Sequence, residues 1–281
     1  VKTVKTVLSQ DFRDFEVIII DDGSTDNTLA RVAEEFSGEP KVRYHRKRNE
    51  ERSVARNFGI KQACGDYVVF FDSDDIMHPN HLSTLEAKIK EFPDCNFFAT
   101  KFQFDYGNRI APSHISHLKE GFYDYKILLE GSFFGTLVCV KRNNPFLASF
   151  PPEFNICEDW IFNFLNLLND KIYLIDATTI TVVEHEGRSM SQNKKVIKAR
   201  LLATEYLLSS LNLTEDDAKT MRAGSSRFCA VHAYLDGDRR TAFRFVLKLV
   251  ALSRFRFSDL ILIIKILVGK SFLKKLRLIR S

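Results

Sequence analysis

Residues 17–28 read VIIIDDGSTDNT and residues 67–75 read YVVFFDSDD, and each is a short apolar run that stops at clustered aspartates. A buried strand ending in carboxylates brings negative charge to the rim of a hydrophobic sheet. That is costly unless a cation or a donor-rich ligand neutralises it. Two such strand ends in one domain suggest one site.

Working outward from these runs, the first half of the chain alternates strand and helix patterns. Residues 1–9 read as helix, 16–20 as strand, 27–36 as an amphipathic helix with Thr25 as N-cap, 42–45 as strand, 53–63 as helix and 67–71 as strand. This is the βαβ rhythm of a mostly parallel sheet with helices on its faces. A helix over 81–91, a strand over 96–104, a second helix near 124–129, a strand over 132–141, a helix over 160–168 and strand-like residues 172–183 follow. From Lys194 onward the periodicity is helical, broken at 212–215, where Thr214 caps a new helix, and at 236–238.

Composition bounds the class. The 281 residues are 45% hydrophobic and 27% charged, enough for one large domain with an appendage. Five well-separated cysteines without a CxxC pair indicate neither a disulfide framework nor a structural zinc site, which fits a reducing cytoplasm. No run approaches the ~20 apolar residues of a membrane span, and the first ten residues lack the apolar core of a signal peptide. The net charge of +5 is unevenly spread: residues 239–281 hold 12 Lys or Arg and a single acid, Asp259. Two uses fit this tail, peripheral contact with an anionic membrane on its inner face, or helices packed on the preceding domain with a solvated basic end. It carries no nucleic-acid-binding module, so no nucleic-acid partner is expected.

The chemistry lies at the strand ends. The Asp72-Ser73-Asp74-Asp75 loop offers closely spaced hard oxygen ligands suited to Mg²⁺ or Mn²⁺, and such ions share their shell with substrate phosphates. Asp21 and Asp22 can accept hydrogen bonds from a base or from ribose hydroxyls, or serve with Asp26 as turn and cap residues.

The order VIIIDDGSTDNT, then NEERSVARNFGIKQACGDYVVFFDSDD, resembles the family 2 glycosyltransferases, including Ala55-Arg56-Asn57, Gly59, Ala63 and Gly65 between the acidic runs. The resemblance implies a GT-A α/β fold for residues 1–190, a mostly parallel mixed sheet flanked by helices, followed by a helical C-terminal extension over 191–281. It implies a nucleotide-sugar donor, with UDP the expected nucleotide, and a glycan or lipid-linked glycan acceptor in surface polysaccharide synthesis. By resemblance Asp22, with Asp21 beside it, holds the base or ribose. Asp74 is the principal metal-bridging carboxylate with Asp72 in support, and Arg56 sits near the diphosphate or braces the acidic loop.

Two later segments extend the resemblance. Cys157-Glu158-Asp159-Trp160 is similar to the family's Glu-Asp pair at a helix start, which makes Asp159 the expected catalytic base. Glu158 also suits a helix-dipole role, and Trp160 suits either an acceptor-stacking face or the core. The segment from Glu184 to Ser191 resembles the family's His loop, which implies that a neutral His185 completes a metal shell, while a charged His185, or Arg188, contacts the diphosphate. The implied reaction is direct displacement with inversion.

The chain also departs from the family pattern. It begins inside the helix that precedes Ser9-Gln10, as a fragment missing about 25 residues and the first strand would. Glu51 stands where the family has Gly, which leaves that loop's conformation open. The rival readings are a non-catalytic nucleotide-binding module, a sugar-nucleotide pyrophosphorylase, whose Gly-rich basic loop is not seen, and a receiver domain, which would end near half this length.

Overall fold

The computed structural model describes residues 1–185, 192–252 and 254–269. The chain divides into two compact units, Val1–Tyr125 with Ser132–Glu186, and Lys126–Gly131 with Gly187–Ser281.

In the first unit, α1 (Lys2–Leu8) precedes β1 (Val17–Asp22), α2 (Thr28–Phe36), β2 (Val42–Lys47), α3 (Glu51–Gln62) and β3 (Tyr67–Val69). The crossover through α2 makes β1 and β2 parallel, with Val17 opposite Val42 and Asp22 opposite Lys47. The α2 helix starts after Asn27 rather than Thr25, because Asp26 turns the chain by accepting from the Thr28 amide at 3.0 Å. A Cβ on Gly23 would lie 2.7 Å from the Asn49 nitrogen, and φ there is +79°. Only glycine fits the turn that ends β1.

The remaining strands are β4 (Ile76–Met77), β5 (Phe97–Asp105), β6 (Ile110–Pro112), β7 (Gly121–Tyr123), β8 (Cys139–Lys141) and β9 (Ile172–Val183). They form a sheet of order β3-β8-β5-β9-β4, with β6 on β5 and β7 on β9. Here β5 and β9 are parallel, whereas the β3–β8, β8–β5, β4–β9, β6–β5 and β7–β9 pairs are antiparallel. The parallel rhythm therefore holds where a helix carries the chain across, and the short later strands make the sheet mixed. Extended backbone over 132–141 shrinks to β8, since Gly135 turns to φ +58°. The segment near 124–129 forms only the 3-10 turn Tyr125–Leu128.

Helices α4 (His81–Glu91) and α5 (Glu158–Leu167) belong to this unit. Leu85 of α4 packs with Phe98, Cys139, Tyr173 and Ile175 of the sheet. The α5 side of the core is aromatic: Phe150 and Phe162 stack at 3.9 Å, and Phe70 meets both edge-on.

The second unit is helical: α6 (Asn193–Ser210), α7 (Glu215–Asp236), α8 (Arg239–Ala251) and α9 (Phe257–Val268). Thr214 caps α7 by accepting from the Asp217 amide, and Gly237 ends it at φ +87°. Its core joins Cys229, Ala230, Ala233 and Tyr234 of α7 to Ala242, Phe245 and Val246 of α8 and Ile266 of α9. A Cβ on Gly224 would lie 2.4 Å from Glu130 Cα, so α7 and the 126–131 segment approach backbone to helix. No helix of the described residues is long and apolar enough to cross a membrane.

Candidate active site

The β1 end is held from within. Asp21 Oδ1 accepts from the Ser24 amide at 2.7 Å, and Oδ2 accepts from the Tyr44 hydroxyl, with Arg46 Nε at 3.6 Å. Burial alone would raise the Asp21 carboxyl. The Ser24 and Tyr44 bonds and the Arg46 charge nevertheless hold it below the usual carboxylate range. Parallel register sets Lys47 opposite Asp22, and the Lys47 ammonium donates to Asp22 while Glu50 takes the same cation at 3.0 Å. The Glu50 amide also donates to Asp22 Oδ1 at 3.0 Å, so Asp22 ties β1 to the start of α3.

The β3 end is more open. One carboxylate oxygen from each of Asp72, Asp74 and Asp75 lies within 4.8 Å of the others, and Asp74 Oδ2 sits 2.7 Å from His185 Nε2 beyond β9. Side chains of Asp74 and His185 are about 40% exposed, as is Asp72. Asp75 is buried and accepts from the Val183 amide at 3.0 Å, which fastens the end of β9 to this loop and so presents His185 to Asp74. From the other side Thr3 of α1 donates to the Ser73 carbonyl at 2.7 Å. This set of close, hard oxygens with an accessible imidazole fits Mg²⁺ or Mn²⁺. Asp74, Asp72 and His185 would hold the ion, with Asp75 as the brace. Arg188 lies outside the described residues.

Arg56 links this loop to α5. Its guanidinium donates to Asp72 at 3.0 Å and to Glu158 at 2.8 Å, and lies 5.4 Å over the Phe150 ring. Burial by itself would lower the Arg56 pKa, but Asp72 and Glu158 more than offset it and hold the group charged. Glu158 is pushed up to about 7, first by burial and then by the neighbouring Asp159 charge, against the pull of Arg56. Two carboxylates share one guanidinium while a third lies beside them.

Asp159 follows Glu158 in the first turn of α5, half-buried, and Oδ2 accepts from the Ser132 hydroxyl at 2.6 Å. The preceding Cys157 adopts φ +69°, a left-handed turn that aims the helix start. Trp160 is fully buried against Phe164, so it is a core residue and offers no face to an acceptor. Glu51 adopts φ +70°, the conformation for which the family's glycine is suited.

The sequence does not announce Lys47 and Ser132 as holders of the site, nor the bracing contacts of Asp75 with Val183 and of Glu158 with Arg56. Glu158 reaches Arg56 across 102 positions, a contact that no local spacing announces. Lys47 could have been found from the parallel register that the β1–α2–β2 rhythm implies.

Known proteins share this architecture. The solved structures it is similar to include residues 1–349 of Staphylococcus aureus TarS, at TM-score 0.58 and 17% identity over 91% of this chain and 88% of that one. A mannosyltransferase, PcManGT from Pyrobaculum calidifontis, in complex with GDP-Man and Mn²⁺, superposes at TM-score 0.61 and 14% identity over 97% and 77%. These likenesses show the GT-A fold. In sequence the chain is 29% identical over 182 residues to the S. aureus poly(ribitol-phosphate) beta-N-acetylglucosaminyltransferase TarP, covering 62% of this chain and 55% of TarP. It spans 20% or less of the length of the uncharacterised Rickettsia glycosyltransferases it matches. Residues 1–147, more than half of the chain and including both acidic strand ends, match the glycosyl transferase family 2, and the protein belongs to that family.

Proposed function

We propose that the chain is an inverting glycosyltransferase that moves a sugar from a nucleotide-diphosphate donor, UDP-linked, to a hydroxyl of a glycan or lipid-linked glycan in surface polysaccharide synthesis. One observation carries the reading: Arg56 joins Asp72 to Glu158, the neighbour of Asp159, while Asp74 of the same loop meets His185. Groups suited to a diphosphate and a group suited to a base are thereby held in one unit. The TarP name, with its poly(ribitol-phosphate) acceptor, supports a polymeric acceptor. The GDP-Man and Mn²⁺ of PcManGT support a metal-bound nucleotide sugar.

Asp159 accepts the proton of the acceptor hydroxyl as that oxygen attacks the anomeric carbon. The bond to the donor diphosphate breaks on the opposite face, and its electron pair leaves with the nucleotide. When bound, Mg²⁺ or Mn²⁺ supplies Lewis-acid stabilisation of the leaving diphosphate. Ser132 orients Asp159, Arg56 fixes Asp72, and Asp75 sets the His185 segment against Asp74. Asp22, with Asp21 shaping its turn, takes the nucleoside once Lys47 yields.

A donor screen with UDP-, GDP- and dTDP-sugars, following release of nucleoside diphosphate, tests the proposal. Turnover in the wild type that falls roughly a hundredfold or more in Asp159→Asn is expected. Nucleotide binding with no turnover in the wild type would instead support a non-catalytic nucleotide-binding module.

A further inference from the structure

Helix α9 leaves Phe257, Leu260, Ile261, Ile264 and Leu267 exposed, up to 82% at Phe257 and 60% at Leu267. Their spacing of three or four residues makes a single stripe. The other side of α9 is the packed one, where Ile266 enters the helical core and buried Asp259 binds Arg227 at 2.8 Å. Helix α8 repeats the pattern: Phe243, Leu247 and Val250 are exposed while Ala242, Phe245, Val246 and Leu249 are buried. Each helix thus has two apolar faces, of which its unit uses one. Beside the spare face of α8 run the exposed Arg240, Arg244 and Lys248, and Lys265 flanks that of α9.

Charge decides the occupant. Residues 239–281 hold 12 basic residues and one acid, so a second copy laid on the stripe would bring two strongly positive segments together. Anionic headgroups complement the same charge. The 12 residues of α9 are too few to span a bilayer core, for which about 20 are needed. A short helix with this pattern lies in the plane of the interface.

We propose that the exposed apolar stripes of α8 and α9 dock into the interface of a bilayer carrying anionic lipids. Phe257, Ile261 and Ile264 enter the acyl boundary, while Arg240, Arg244, Lys248 and Lys265 extend to the phosphates. This surface is independent of the glycosyl-transfer reading, and either can fail without the other.

The test floats the full chain with phosphatidylcholine vesicles, with and without phosphatidylglycerol, beside the double variant Ile261→Asp, Ile264→Asp. Both positions are solvent-facing, and circular dichroism reports whether the helices persist. The wild type should float only with phosphatidylglycerol, and the double variant should partition roughly tenfold less. Failure of the wild type to float, or equal flotation of a folded double variant, would overturn the proposal. So would light scattering that shows a wild-type dimer which the variant makes monomeric without any vesicle binding, since a second copy would then cover the stripe. Should the double variant unfold, Phe257→Trp supplies the readout. Its emission should shift to the blue with phosphatidylglycerol vesicles, against the constant background of buried Trp160, and no shift would count against the interface.

Discussion

The two acidic strand ends look alike in sequence and differ in how their charge is held. At the end of β1 the Asp21 side chain is 1% exposed, with both oxygens engaged by Ser24 and Tyr44, and Asp22 faces Lys47 across the parallel ladder. At the end of β3 the carboxylates of Asp72 and Asp74 remain open to solvent, restrained by one guanidinium and one imidazole. The cause is register. Strand β2 delivers Arg46 and Lys47 opposite Asp21 and Asp22, whereas β3 pairs with β8 only as far as Val69, so the ladder sets no basic residue opposite Asp72 or Asp74. The same motif therefore yields a braced turn in one place and an accessible oxygen cluster in the other.

The largest stability effect should come where the second end is tied to the core. Arg56→Met removes the guanidinium that Asp72 and the buried Glu158 share, leaving Glu158 only Arg52 at 3.8 Å, and should cost about 3 kcal/mol in denaturant unfolding. Adding Glu158→Gln to it should recover part of that loss; no recovery would show that the Phe150 contact, rather than the charges, carries the effect.

The contrast itself breaks or stands on a pair of substitutions. Asp21→Ala strips the Ser24 amide and Tyr44 hydroxyl of a buried acceptor and should cost about 1–3 kcal/mol. Asp74→Ala, at a solvent-facing carboxylate, should stay within about 0.5 kcal/mol of wild type. Equal losses in thermal unfolding would erase the distinction between the two ends.

A pH dependence follows from Glu158. Its carboxyl is raised from 4.5 to about 7 by burial and by Asp159, so between these values the native state keeps a proton that the unfolded chain releases. The Glu158 contribution to stability is thus present in full below the lower value and is lost as pH rises through the upper one. Glu158→Gln should flatten that slope in melts taken from pH 4.5 to 7. One effect is a gain: Glu51→Gly relieves a left-handed backbone and should raise stability by about 1 kcal/mol. A loss on melting would mean that the Glu51 side chain outweighs its strain.

Much of the architecture was legible because it is written in local pattern. The α4 span, the β9 span and the Thr214 cap follow from helical period, β-branched residues and cap chemistry. Strands β4, β6 and β7 are two or three residues long and exist only through pairing with β9 or β5, so no periodicity reveals them. The clustering of Asp72, Asp74 and Asp75 was readable from adjacency. The Arg56–Glu158 tie and the Asp75–Val183 clasp were not, because each joins segments more than 100 positions apart. Glu51 lies between these cases: its departure from glycine is visible in sequence, and its positive φ belongs to the fold.

The central claim is that the open acidic end and Asp159 serve one transfer reaction. It is tested most directly by nucleoside diphosphate release from the donor found in the screen, with Mn²⁺ or Mg²⁺, in wild type, Asp74→Ala and Asp159→Asn. The account predicts turnover in the wild type and a drop of roughly a hundredfold or more in each folded variant. Sugar transfer retained at the wild-type rate in either variant would contradict it.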